Sequence, residues 1–260
     1  MGAWKGYLID LDGTLYHGNR MIEGADRLIR CLDDQGIPYL FVTNNSSRTP
    51  EEVMVHLRKM GIPAQIEHVC TSSLAAAQYI ASQAPSGKVA VIGEEGLRHA
   101  LQGAGLTLVE NDPQYVVQGI DRTFTYEKLT QALRWIRNGA QYILTNPDLL
   151  LPTDGGLMPG AGTIAASIEA GSGIKPVIIG KPSSILMEYA LHRIGLSANE
   201  VAVIGDNIRT DIAAGAAAGC GTILVLTGIT TADNMHDHMQ ITQVKPDVIW
   251  DNLNQFIDAL

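Results

Sequence analysis

The chain has 260 residues, of which 46% are hydrophobic and 17% charged, and its formal net charge is -9. This is a globular composition with enough apolar material for a sizeable core, in one large domain or two smaller ones. The acidic balance, without any block of Lys or Arg, excludes a nucleic-acid footprint, and no apolar run is long enough to span a membrane. A small anionic ligand is not excluded, because a few local cations and a metal can hold one despite the global sign.

In chain order, the first strand is expected at GYLID (6–10), followed by a helical period over 25–36. A second strand, YLFVTN (39–44), precedes a helix over 50–61 with Thr49 as cap and Pro50 as first helical residue. A helix and a Pro/Ser/Gly joint fill 71–88. Strands VAVIG (89–93), YVVQGI (115–120) and QYILTN (141–146) follow, with a helix at 126–139 and a second joint at 169–176. The chain then alternates PVIIG (176–180), a helix at 183–195, VAVIG (201–205), TILVLTG (222–228) and DVIW (247–250). Helices 25–36, 50–61, 126–139 and 183–195 each end on a glycine just past the last apolar residue. VAVIG occurs twice but is followed by different residues, so it reads as a recurrent buried strand rather than a repeat.

Strands apolar on both faces and separated by helices predict an α/β fold with a doubly wound parallel sheet. The segment between the joints is large enough to be a domain of its own, which gives a core of 1–78 and 177–260 with an inserted α/β domain at 79–176. Ligands of such folds bind beyond the carboxyl ends of the strands, so the residues that close strands carry the functional expectation.

Four strand ends stand out. In DLDGT, Asp10 and Asp12 are two apart on an extended backbone, so both carboxylates are expected to face one spot about 7 Å apart. Paired carboxylates share a proton or a hard cation; with Mg²⁺ bound, Asp10 can stay ionised as a nucleophile while Asp12 gives or takes a proton. Gly13 lets the backbone approach a ligand closely, and its N–H can join an anion nest. In VTNNSS, Thr43 and Asn44 close an apolar strand and can donate to phosphate oxygens, since Thr49 already serves the next helix. Lys181, at the end of a buried strand and before proline, needs an anion. In VIGDNIRTD, Asp206 can complete a cation site with Asp10, while Asp211 suits an orienting partner of Asp206 or Lys181.

These residues resemble the motifs of the haloacid dehalogenase (HAD) superfamily: DLDGT the first, VTN the second, GKP the third and GDNIRTD the fourth. The resemblance implies a HAD-like Rossmannoid core, Asp10 as the nucleophile that forms an aspartyl-phosphate, and Asp12 as general acid/base that also offers its backbone carbonyl to Mg²⁺. It further implies Gly13, Thr43, Asn44 and Lys181 around the phosphoryl group, a metal held by Asp10, Asp12 and Asp206, and Asn207 and Asp211 behind those ligands. Members that dehalogenate lack the second aspartate, so Asp12 points to phosphate chemistry. The insert occupies the position of a C2-type cap, and 144–173 resembles the NagD-like, class IIA phosphatases, in which a cap loop contacts substrate. This would bring Asn146, Asp148 and the 149–162 segment toward the substrate; an ordinary turn is the alternative for NPD.

The expected activity is a Mg²⁺-dependent phosphatase acting on a small soluble phosphate ester: a sugar phosphate, a nucleoside monophosphate or a cofactor phosphate. A phosphoaspartate receiver and a phosphotransferase to an acceptor other than water are the alternatives. A homodimer through cap surfaces is compatible with the sequence, but no residue demands one. Cys31, Cys70 and Cys220 form no C-x-x-C pair and read as reduced thiols, with Cys31 in a core stripe beside Leu28 and Leu32. The opening MGAWKG shows no secretory leader, and Gly6 spoils a myristoylation signal, so a cytoplasmic location is expected. The two histidines of MHDHM (235–239) are expected on a solvated loop, GAAAG (215–219) on a helix packed closely on the sheet, and Trp135 in core packing or at the substrate entrance.

Overall fold

The computed structural model describes residues 4–153 and 156–260 and divides the chain into two compact units. The first comprises 1–43, 51–70 and 181–260, the second 44–50 and 71–180.

The first unit is built on a six-stranded sheet with the order Val248–Trp250, Gly221–Val225, Val201–Gly205, Gly6–Ile9, Tyr39–Thr43, Val69–Thr71. Gly6–Ile9 pairs in parallel with Tyr39–Thr43 on one side and with Val201–Gly205 on the other. The chain therefore winds outward in one direction after its first strand and in the opposite direction after Lys181. Residues Asp10 and Asp206 close the two strands that flank this reversal, where a doubly wound sheet opens its crevice. The core of this unit contains Tyr7, Ile9, Leu28, Ile29, Leu32, Phe41, Leu57, Ile204 and Phe256, all buried. Helix Ala25–Gln35 contributes Leu28, Ile29 and Leu32, and Gly36, in the left-handed region at φ 64°, ends it as its sequence predicts.

The second unit carries its own five-stranded parallel sheet, in the order Val177–Ile178, Gln141–Leu144, Tyr115–Gln118, Lys88–Ile92, Thr107–Leu108. An antiparallel hairpin, Leu150–Thr153 with Gly156–Pro159, precedes helix Ala161–Ser172. Tyr142 is fully buried beneath that helix layer, and its hydroxyl donates to Gln118 Oε1 at 2.9 Å. Gln118 in turn donates from Nε2 to the Ala161 carbonyl at 3.1 Å.

The α/β doubly wound architecture agrees with the sequence. The breaks between units fall at 70/71 and 180/181, against the expected 78/79 and 176/177. Helix Ser72–Gln83 packs on helix Glu95–Gly103, both in the second unit, which moves the first break upstream. The 44–50 segment joins the same unit because Ser72 Oγ and Ser73 Oγ donate to the carbonyls of Asn44 and Ser46, and Gly96 N–H donates to that of Ser47. MHDHM lies on helix Met235–Thr242 rather than on a loop. Cys31 is half-buried at the margin of its stripe rather than in the core. GAAAG behaves as expected: a methyl added at Gly215 would press on Val203 and Thr222 of the sheet. Trp135 packs against the hydrophobic cluster of the second unit.

Replacing Tyr142 by Phe leaves Gln118 Oε1 buried without its donor. Urea unfolding is expected to show a loss of about 1–3 kcal/mol, with the denaturant slope unchanged.

Candidate active site

Strand Gly6–Ile9 ends one residue before Asp10, and the backbone N–H of Asp10 still donates to the Ile204 carbonyl at 2.9 Å. Beyond Asp10 the chain leaves the extended form. Thr14, Leu15 and Tyr16 N–H groups all converge on the Leu11 carbonyl, so the alternation of a strand no longer applies. Asp10 is consequently buried while Asp12 is exposed. The carboxylates that do converge are those of Asp10, Asp206 and Asp211, with one oxygen from each lying within 4.8 Å of the others. Asp211 thus belongs inside the acidic cluster, where the sequence reading placed it behind the ligands, and the Asp12 carboxylate lies outside it.

Lys181 enters this cluster fully buried. Its ammonium pairs with Asp10 Oδ1, pairs with Asp211 Oδ1 at 2.6 Å and donates to the Val42 carbonyl at 3.2 Å. Thr14, with no exposed surface, donates toward Asp206 Oδ1 at 3.3 Å and Asp10 Oδ2 at 3.5 Å. Asn207 caps the following turn, its Oδ1 accepting from Arg209 N–H at 2.9 Å, while its own N–H donates to Asp211 Oδ2 at 3.1 Å. Thr43 is buried at the end of its strand.

The charges do not balance. Three buried carboxylates face one ammonium, which leaves an excess of two negative charges when all are ionised. Burial, followed by repulsion from Asp211, holds the Asp10 carboxyl well above the ordinary carboxylate range despite Lys181. The same causes in the same order push Asp206 up to about 6. Burial alone would lower the Lys181 ammonium, but its attraction to Asp10 and Asp211 outweighs this and raises it. An all-oxygen donor set with two uncompensated charges suits a hard divalent cation and has no thiolate or imidazole for a softer one.

Glycines let the backbone fit against these acids. Gly13 has φ 93°, and a methyl there would come within 2.5 Å of the Asp206 carboxylate. That is why this position takes glycine, rather than the anion nest read from the sequence: the Gly13 N–H already donates to the Tyr16 carbonyl at 2.8 Å. The Asn44 side chain has a partner of its own. It lies in the second unit, where its amide donates to Asp148 Oδ2 at 3.0 Å. Asn146 is buried and donates to the same oxygen at 2.6 Å, while Thr145 Oγ1 donates to Asn146 Oδ1 at 2.9 Å. This linked set braces the loop that closes strand Gln141–Leu144. Residues 154 and 155 of the 149–162 segment lie outside the described residues.

The sequence reading passed over the loop at 226–230. It follows strand Gly221–Val225 and supplies Ile229 N–H to Asp206 Oδ2 at 2.6 Å and Thr227 Oγ1 to the Gly13 carbonyl at 2.7 Å. Its signal was the strand-end logic applied to one more strand, because TILVLTG also ends in a hydroxyl and a glycine.

The raised Asp206 carboxyl has a measurable consequence. Between its ordinary value near 3.8 and about 6, the folded protein keeps a proton that the unfolded chain has lost. The stability this contributes is complete below the lower value and is lost as pH rises through the upper one. In EDTA, Tm is therefore expected to decline from pH 5 to pH 7 more steeply than in Asp206→Asn, and saturating Mg²⁺ should remove the decline. Equal slopes for the two proteins would contradict the assignment.

Comparison with known proteins agrees with this geometry. Residues 7–107 match a model described as haloacid dehalogenase-like hydrolase, and residues 178–256 match a second HAD-like hydrolase model. The chain is 48% identical over 257 residues to the 5'-nucleotidase YutF of Bacillus subtilis, covering 99% of both chains. It is 45% identical over 262 residues to an acid sugar phosphatase of Staphylococcus aureus, covering 100% of this chain and 99% of that one. Among solved structures, the p-nitrophenyl phosphatase of Archaeoglobus fulgidus superposes with a TM-score of 0.94 at 38% identity, covering 99% of each chain. With its acid cluster at the switch point and full-length likeness to phosphatases, the chain belongs to the NagD-like phosphatases of the haloacid dehalogenase superfamily and is a phosphoric monoester hydrolase.

Proposed function

We propose that this phosphatase requires Mg²⁺ and hydrolyses small phosphomonoesters through an aspartyl-phosphate on Asp10. The observation that carries this reading is the buried excess of two negative charges around Asp10, Asp206 and Asp211 at the switch point of the sheet. Asp10 and Asp206 would hold the ion with the Asp12 backbone carbonyl, and Asp211 would support it from its bond with Lys181. A bound Mg²⁺ neutralises carboxylate and phosphoryl oxygens at once. The remaining steps fall to the chain itself. Lys181 and Thr43 hold the phosphoryl oxygens, and Asp10 attacks phosphorus in line with the departing ester oxygen. Asp12, exposed where Asp10 is buried, gives a proton to the leaving oxygen and then takes one from the water that cleaves the aspartyl-phosphate. Thr14 keeps Asp10 and Asp206 in register, and the second unit, an inserted α/β domain, is assigned as a cap of the C2 type.

The names of the relatives, a 5'-nucleotidase and an acid sugar phosphatase, support nucleoside monophosphates and sugar phosphates as the substrate classes. The three free cysteines, two of them buried, support a reducing cytoplasmic location. No helix among the described residues is long and apolar enough to cross a membrane.

Release of p-nitrophenol and of inorganic phosphate is expected to be equal in amount, to depend on Mg²⁺ and to stop in EDTA. Asp10→Asn should lower kcat by more than about 10³-fold. Nitrophenol released in excess of phosphate would instead show transfer to another acceptor, and turnover retained in Asp10→Asn would remove the covalent intermediate.

A further inference from the structure

The loop at 226–230 grips the acid cluster through consecutive residues. Thr227 Oγ1 donates to the Gly13 carbonyl at 2.7 Å, and a methyl at Gly228 would overlap the Asp206 carboxylate. Ile229 N–H reaches Asp206 Oδ2 at 2.6 Å, and Thr230 N–H reaches the Asp206 carbonyl at 3.0 Å. The loop also holds an element on the opposite flank of the site, because His17 Nε2 lies 2.8 Å from the Thr227 carbonyl oxygen. A carbonyl only accepts, so the ring proton resides on Nε2.

His17 ends the short strand Tyr16–His17, which pairs antiparallel with Arg20–Met21 through a turn at Gly18. A hairpin this small is not stable by itself and depends on what anchors it. His56 supports its turn, with Nε2 3.0 Å from the Gly18 carbonyl and its ring edge-on to Tyr16 at 5.1 Å. His17 supports its first strand. That strand in turn fixes the catalytic turn, because Tyr16 bridges Asp12 and its carbonyl accepts from Gly13 N–H at 2.8 Å.

We propose that His17 is a positioning residue for Asp12: by bonding the Thr227 carbonyl it locks the turn carrying Asp12 to the loop that holds Asp206, and so sets how well a proton reaches the leaving group. This inference rests on Asp12 being the proton carrier of the proposed mechanism. As the Asp10–phosphorus bond forms and the phosphorus–ester oxygen bond breaks, the ester oxygen departs with the bonding pair. An alkoxide from a sugar or nucleoside needs the Asp12 proton at that moment. A p-nitrophenolate, being a weak base, leaves without it. A displaced Asp12 therefore penalises alkyl esters selectively.

The test compares kcat/KM for ribose 5-phosphate and p-nitrophenyl phosphate in wild type, His17→Ala, His17→Gln and Asp12→Asn, with Mg²⁺ saturating. In His17→Ala the alkyl ester is expected to lose at least about tenfold more than the aryl ester, the same direction as Asp12→Asn. In His17→Gln, whose amide can still donate to the Thr227 carbonyl, most of the difference should return. The ratio of the two rates does not depend on the fraction of folded enzyme, so a loss of stability cannot imitate this result. Equal losses on both substrates, or none on either, would overturn the role of His17. If Asp12→Asn itself shows no leaving-group dependence, the assignment of Asp12 fails before that of His17 is reached.

Discussion

Everything in the first unit is arranged around one electrostatic problem: three carboxylates and one ammonium buried together at the point where the sheet reverses its winding. Taking charges out of water costs several kcal/mol per ion unless partners replace the lost hydration. Lys181 satisfies part of that need by pairing with Asp10 and Asp211. Thr14 and the Ile229 N–H supply further donors, and the proposed divalent cation would meet the rest. Burial and mutual repulsion raise the carboxyls of Asp10 and Asp206, which favours their protonated forms. On the proposed reading, the same excess charge that is costly to bury favours a divalent ion.

Geometry and chemistry are therefore hard to separate here. Gly13 and Gly228 lie against Asp206 with no room for a side chain, and Gly205 lies equally close to Asp211. The acids are held between close-fitting glycine backbone and the side chains of Lys181 and Thr14. A nucleophile must be fixed to within a fraction of an ångström of its line of attack, and a rigid cradle of this kind supplies that without closing motions of its own. Asp12, the proposed proton carrier, stands on a tight turn beyond the strand and is exposed, which suits exchange of protons with a leaving group and then with water.

Much of this was legible in the sequence because strand ends of a parallel sheet are sites by topology. Asp10, Lys181, Asp206 and Asp211 meet in the structure; the first three stand out as polar residues after apolar runs, and Asp211 as an acid five residues past Asp206 at the opening of the next helix. What was misread came from carrying one local rule a step too far. The strand stops at Ile9, and in the turn that follows, Asp10 is buried while Asp12 is exposed, a difference that a period of two does not carry. Gly13 looked like a ligand-facing amide because its partner, the Tyr16 carbonyl, belongs to a hairpin too short to leave a periodic signal. The Asn44 side chain finds its partner Asp148 104 residues away, which no local pattern reveals. The helix at Met235–Thr242 was hidden because its apolar face is narrow: Met235 and Met239, one turn apart, pack partly buried against the Ile208 cluster among polar neighbours.

The central claim is that Asp10 and Asp206 exchange protons for a divalent cation, and calorimetric titration of Mg²⁺ into the metal-free protein tests it directly. Titrations near pH 6 in buffers of different ionisation enthalpy count the protons that leave as the ion binds. The account predicts net proton release at pH 6 that diminishes toward pH 8 and shrinks in Asp206→Asn. Tight Mg²⁺ binding with no proton release at pH 6 would contradict it, because the carboxylates would then be ionised in the empty site and the buried charge balanced in some other way.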